Sequence, residues 1–211
     1  MVLAPTNSES PQAPGTALRI PIFPLNTVLF PGGLLPLRVF EARYMDMTRD
    51  CMKSGSPFGV CLIREGQEVG KPALPEPIGC LARITDWDMQ QLGLLQLGTL
   101  GGERFRIIEH ESNSKGLISA NVVTIPAEAR QPLPGEFAAC AKVLQMVIAD
   151  QGPGVFGEPH DFEDAAWVGN RLSEILPVSL PAKQRLLEIT DSLTRLSILQ
   201  RFLDQQGMAR T

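Results

Sequence analysis

The side chains with the capacity for chemistry are few, and each group of them has a plainer structural use. The densest group is Glu158, His160, Asp161, Glu163 and Asp164, a histidine among carboxylates with the donor types a divalent metal takes. The same residues also suit the opening of a helix, with Asp161 as its cap. Carboxylates there answer the unpaired N–H groups and the positive end of the helix dipole. No Gly-Xaa-Ser-Xaa-Gly element accompanies His160, so a serine hydrolase has no nucleophile turn. Lys53 and Ser54 are adjacent, and neighbours at a helix end point to different faces, which argues against a Ser–Lys dyad. Gly98, Gly101 and Gly102 lack phosphate-cradle spacing and are expected to form a hairpin turn. Glu41, Arg43 and Tyr44 bring opposite charges and a phenol together. On one helix, however, Phe40 and Tyr44 are four apart and would bury together, while Glu41 suits the positive end. The expectation is no catalytic residue, no metal and no cofactor.

The four cysteines, Cys51, Cys61, Cys80 and Cys140, include no CxxC pair, and three lie in apolar stretches. They read as buried free thiols of a reducing compartment. His110 and His160 have no zinc-ligand spacing to any of them. Trp87 and Met89, near a strand end, are the candidates for an exposed apolar contact with a ligand.

Composition narrows the function classes. The formal net charge is -4, without the surplus of Lys and Arg that phosphates demand, so no nucleic-acid partner is expected. No uninterrupted apolar run reaches membrane-spanning length, and residues 1–17 lack the basic start and apolar core of a signal peptide. A cytoplasmic protein with no membrane association is the expectation. With 44% hydrophobic but only 6% aromatic residues, Leu, Val and Ile must supply most of the core.

The elements that would position these residues follow from periodicity. Residues 1–17, rich in Pro, Ser, Ala and Thr, read as a disordered tail. From Leu18, Pro21, Pro24, Pro31 and Pro36 break an apolar stretch and exclude a helix, leaving short strands around a turn at Phe30 to Gly33. Glu41 to Lys53 has no Pro or Gly, and Tyr44, Met47 and Cys51 form one helical face, stopped by Ser54-Gly55-Ser56-Pro57. Phe58 to Ile63 is a strand, and Arg64 to Pro77 an exposed loop. Further strands cover Ile78 to Ile84, Leu92 to Leu100, Arg104 to Glu109 and Leu117 to Ile125, with turns at Asp88 to Gln91 and Gly98 to Gly102. Pro126 to Pro134 marks a joint, and beyond it the spacing is helical. One helix carries Phe137, Cys140 and Leu144, and a second starts at Asp161. Ser179 caps the next, and one or two helices run on to about Gln205.

Two segments carry a family resemblance. In the first, Pro24, Leu25, Phe30, Pro31, Gly32, Pro36, Leu37, Phe40, Glu41, Arg43 and Tyr44 stand in the order found in Lon protease amino-terminal domains. IGCLARI and GERFRI are similar to the strands that follow there. In the second, Leu176, Pro177, Lys183, Gln184, Leu186, Leu187, Glu188, Arg195 and Leu196 resemble that family's closing helices. The resemblance implies an α+β fold: a PUA-like β-barrel with one early helix over residues 18–125, then a C-terminal helical bundle over 126–211. It implies a stand-alone form without ATPase or protease machinery, since the phosphate loop is missing and the family's Ser–Lys pair lies beyond this segment. It further implies a non-catalytic, substrate-binding module for unfolded or apolar polypeptide segments. An ATP-dependent protease is the second class of partner, and an adaptor role in protein quality control is the expected setting. The alternatives are an RNA-binding PUA-like protein and a small-molecule enzyme. The acidic balance and scarce aromatic platforms oppose the first, and no motif predicts the pocket that the second requires.

Overall fold

Ile22 is where the first strand changes partners, and the whole sheet is organised around that exchange. In this computed structural model, which describes residues 15–207, β1 (Ala17–Leu25) pairs antiparallel with β7 (Ile118–Ile125) up to Ile22, then parallel with β3 (Phe58–Glu65) from Ile22 onward. β3 also pairs with β5 (Ile78–Gln91), β5 with β6 (Leu94–Ser112), and β6 with β7, so the chain of pairings returns to β1. β4 (Leu74–Pro75) pairs with the end of β3 at Ile63 and Glu65, and β2 (Leu34–Val39) lies on the first half of β6. Apart from β1 with β3, every pairing is antiparallel. The first fourteen residues of the expected tail lie outside the described residues.

Among the described residues, five α-helices complete a mixed α and β fold: α1 (Ala42–Ser54), α2 (Ala138–Gln151), α3 (Ala165–Ile175), α4 (Leu180–Glu188) and α5 (Ser192–Gln205). α1 buries Tyr44, Met47, Thr48 and Cys51, the three-and-four spacing of one face, against Phe23, Phe58 and Leu97 of the sheet. Each large side chain so buried contributes about 1.5–3 kcal/mol. The largest apolar cluster lies among α2 to α5 and takes in Phe30, Leu62 and Ile78 from the strand half, so sheet and helices share a core.

Three expectations are corrected here. The turn expected at Asp88 to Gln91 lies one step later: β5 runs through Gln91, and Gly93 turns the chain at φ 84°. The second turn, at Gly98 to Gly102, does not form, because β6 continues straight through it. Gly101 instead permits a close approach: a Cβ there would stand 2.2 Å from the Phe30 carbonyl oxygen. Finally, α3 is capped by Asp164, which accepts the Trp167 N–H at 3.0 Å, while Asp161, three residues before that cap, pairs with Arg130 at 3.0 Å.

Candidate functional site

Trp87, Leu97 and Leu37 stand directly opposite one another on β5, β6 and β2. Opposed residues of antiparallel strands point to the same face, so the three form one row. Leu97 and Leu37 are buried beneath α1, while Trp87 closes the row and is 57% exposed. Beyond Ala82, β5 has lost β3 and, among the described residues, pairs with β6 alone, so its outer half forms an arm. Met89 on this arm is 39% exposed, and Leu92 at its tip is 95% exposed. A cavity of about 290 Å³ lies against the indole, lined by Cys51 and Met52 from the end of α1 and by Arg83, Ile84 and Asp86. A single exposed apolar side chain is ordinary, but three within six residues, next to a cavity, form a surface able to take apolar groups. Leu92 is the member that sequence reasoning missed, because the expected strand began there instead of the turn.

The other sequence candidates resolve into structural roles. His160 sits among Phe156, Phe162 and Trp167, with Nε2 3.1 Å from the Pro153 carbonyl oxygen. Asp161 and Asp164 are engaged as described, and no metal-binding group of three such residues occurs among the described residues. Ser54 Oγ donates to the Asp50 carbonyl at 2.8 Å, within its own helix. Tyr44 is buried and stacks on Phe23 at 4.0 Å, its hydroxyl pKa raised by that burial. Arg43, also buried, donates to the Gly116 carbonyl at 3.0 Å and pairs with Glu41 at 3.0 Å. Phe40 does not bury with Tyr44: it lies before the helix begins and is 57% exposed. The four cysteines are free and buried, and burial raises the thiol pKa of each.

The strongest electrostatics lie between sheet and helices. Arg104 of β6 donates to the carbonyls of Leu187 and Ile189, at 2.9 and 2.6 Å, and pairs with Glu128 at 3.1 Å. Arg195 of α5 holds the same carboxylate and donates to the Leu186 carbonyl at 3.0 Å. Arg171 of α3 donates to the carbonyls of Pro31 and Gly32 and pairs with Glu174 at 3.0 Å. Gln184 donates to the Ile78 carbonyl at 3.0 Å. All four donors are buried. Burial also lifts the Glu174 carboxyl to about 7, against the opposing pull of Arg171 and Lys183.

Residues 19–205 match the family model described as the ATP-dependent protease La (LON) substrate-binding domain. The chain belongs to this family. It is similar to a Lon protease of Flavobacterium johnsoniae, 26% identical over 198 residues, which takes in 89% of this chain and 24% of that protein. A Lon protease of Azorhizobium caulinodans is 23% identical over 206 residues, 92% of this chain and 24% of its own length. The chain thus spans about a quarter of the length of these curated relatives. Among solved structures, the Lon N-terminal domain protein from Xanthomonas campestris is 36% identical with a TM-score of 0.73, over 86% of this chain and 96% of that one. The N-terminal domain of the Mycobacterium avium complex Lon protease has a TM-score of 0.60 at 15% identity, over 89% and 97%, a likeness of fold alone. Of the residues that carry the family resemblance, Pro31, Gly32, Arg104 and Gln184 take part in contacts between the strand half and the helices. In this Lon-type domain those motif residues are engaged in contacts between strand half and helices, and the exposed arm stands apart from them.

Proposed function

We propose that this chain is a non-catalytic recognition module that binds apolar stretches of other polypeptides at its β5–β6 arm. We further propose that it works in the cytoplasm as an adaptor in protein quality control, with an ATP-dependent protease as its second partner. The observation that carries the reading is the exposure of Trp87, Met89 and Leu92 together on one arm. Burying each such side chain against a partner contributes up to about 1.5–3 kcal/mol, roughly 4.5–9 kcal/mol for three before the cost of association, so main-chain contacts with the extended chain must add to them for micromolar capture. Membership of the Lon substrate-binding family supports the class of partner. No helix among the described residues is long and apolar enough to cross a membrane. We read the closed circuit of strand pairings as a PUA-like barrel over 18–125, and α2 to α5 as a helical bundle within 126–211.

The test is binding of the full chain to a reduced, carboxymethylated model protein and, separately, to an ATP-dependent protease. Retention of either at micromolar concentration supports the reading. Trp87→Ala with Met89→Ala should weaken capture of the unfolded protein about tenfold or more. If neither macromolecule is retained, the proposal fails.

A further inference from the structure

A strand edge lines the cavity at the other end of α1. β2 pairs with β6 and, among the described residues, with no other strand. Five successive β2 residues, Leu35 to Val39, border a cavity of about 360 Å³. Alternate residues of a strand point to opposite faces, so an unbroken run of lining residues means that the edge itself faces the cavity. On the far wall are Phe23 and Leu25, where β1 has left β7 and, among the described residues, keeps only β3. Two incompletely paired strands thus border one cleft.

The phase of the ladder identifies the free backbone groups. Gly101 N–H donates to the Gly33 carbonyl at 2.8 Å. Stepping by twos along the register, Leu35, Leu37 and Val39 turn their groups toward β6, and Leu34, Pro36 and Arg38 turn theirs outward. Pro36 has no N–H, so the open edge offers three carbonyls and the N–H groups of Leu34 and Arg38. The side chains at the cleft are chemically biased. Phe40 and Val69 are exposed and apolar. Glu41 and Glu68 both act electrostatically on the Tyr44 hydroxyl, which places two carboxylates at one end. Each is held through one oxygen, Glu41 by Arg43 and Glu68 by the Asn26 N–H. Arg38, exposed, belongs with Leu34 and Pro36 on the strand's other face, away from the buried Leu37 and Val39.

We propose that this cleft takes an extended polypeptide segment as an added strand on β2, with alternate apolar side chains entering it and a basic side chain meeting Glu41 and Glu68. Main-chain hydrogen bonds supply sequence-tolerant affinity, and the carboxylates supply selectivity. The inference rests on the polypeptide-recognition reading for its class of partner, but its site lies at the opposite end of α1 from Trp87.

The experiment uses the full chain and a fluorescein-labelled probe of about ten residues, alternating valine and serine around a central lysine, followed by anisotropy. Two twins are N-methylated, each on one of the two alternating sets of residues, and a third carries glutamate in place of lysine. Only one set of probe N–H groups can face β2. Methylation of one set should therefore weaken binding about tenfold, while the other set changes it less than about threefold. The glutamate twin should bind about fivefold more weakly at low salt, with the gap narrowing as salt rises and largely closing in Glu68→Gln. Equal effects of the two methylated twins overturn the proposal. It also falls if Trp87→Ala with Met89→Ala abolishes probe binding while Val69→Asp does not, an outcome that leaves the arm intact as the polypeptide site. Absence of binding to both probe and unfolded protein removes this inference and the function it rests on together. A dimer seen by sedimentation that excludes the probe assigns the edge to a second copy and overturns the peptide.

Discussion

Arg195 grips Glu128 with both terminal nitrogens, Nη1 at 2.9 Å from Oε2 and Nη2 at 2.6 Å from Oε1. Arg104 reaches the same carboxylate from the sheet at 3.1 Å. One acid in the proline-rich joint thus bridges two buried guanidiniums, one from β6 and one from α5. Desolvation lowers the Arg104 pKa, and Glu128 opposes that fall. Glu128→Ala should destabilise the fold by about 3–5 kcal/mol, because it leaves buried cations without a counter-charge. Urea unfolding followed by circular dichroism measures it. A loss below about 1 kcal/mol would show that the backbone carbonyls alone hold the arginines.

Gly101→Ala should be costly for a reason unrelated to φ. Its Cβ would stand 2.2 Å from the Phe30 carbonyl oxygen, a backbone atom that cannot step aside without moving the Pro31-Gly32 turn held by Arg171. A loss of at least about 2 kcal/mol is expected, visible as a lower midpoint in thermal unfolding. Gly93→Ala provides the contrast: nothing lies within 4 Å of its Cβ, and only its φ of 84° opposes a side chain. The expected cost there is about 1 kcal/mol.

Substitutions on the arm should separate binding from folding. Trp87→Ala and Leu92→Ser remove exposed side chains, so unfolding free energy should stay within about 0.5 kcal/mol of the parent. Capture of an unfolded protein should still fall about tenfold in the double variant. Parallel losses of stability and binding would mean that Trp87 is chiefly the rim of the core under α1.

Glu174 makes stability depend on pH. Its folded carboxyl titrates at about 7, well above its ordinary value of 4.5, because burial outweighs Arg171 and Lys183. Between these two values the folded state holds a proton that the unfolded state has released. Stability should therefore fall as pH rises from about 4.5 to 7, by something on the order of 3 kcal/mol from this group. Glu174→Gln should flatten that slope. An unchanged slope in urea midpoints taken between pH 5 and 7 would contradict the account.

Local pattern made several elements legible. The spacing of Tyr44, Met47 and Cys51 predicts a helix over Glu41 to Lys53, and α1 occupies Ala42–Ser54. The alternation from Ile78 and the run from Leu117 likewise correspond to β5 and β7. In these cases one face must be buried, and burial imposes a period of two or 3.6 on the residues themselves. The motif order from Pro24 to Tyr44 and from Leu176 to Leu196 also carried the family, because prolines, glycines and core residues are constrained locally.

Other features belonged to the tertiary structure alone. Gly98 and Gly101 read as a turn, yet Gly101 exists for a carbonyl seventy-one positions earlier in the chain, Phe30. Phe40 and Tyr44 have helical spacing, yet the helix begins between them and exposes the ring. Glu128 stands in a proline-rich joint with nothing to mark it, and its partners come from a strand and a helix distant in sequence. The open edge of β2 could not be read either, since a strand's own residues do not say how many neighbours it has. A sequence determines which residues must leave water and with what period. Which surfaces then remain uncovered is decided only when every element has found its partners, because exposure is a property of the assembly.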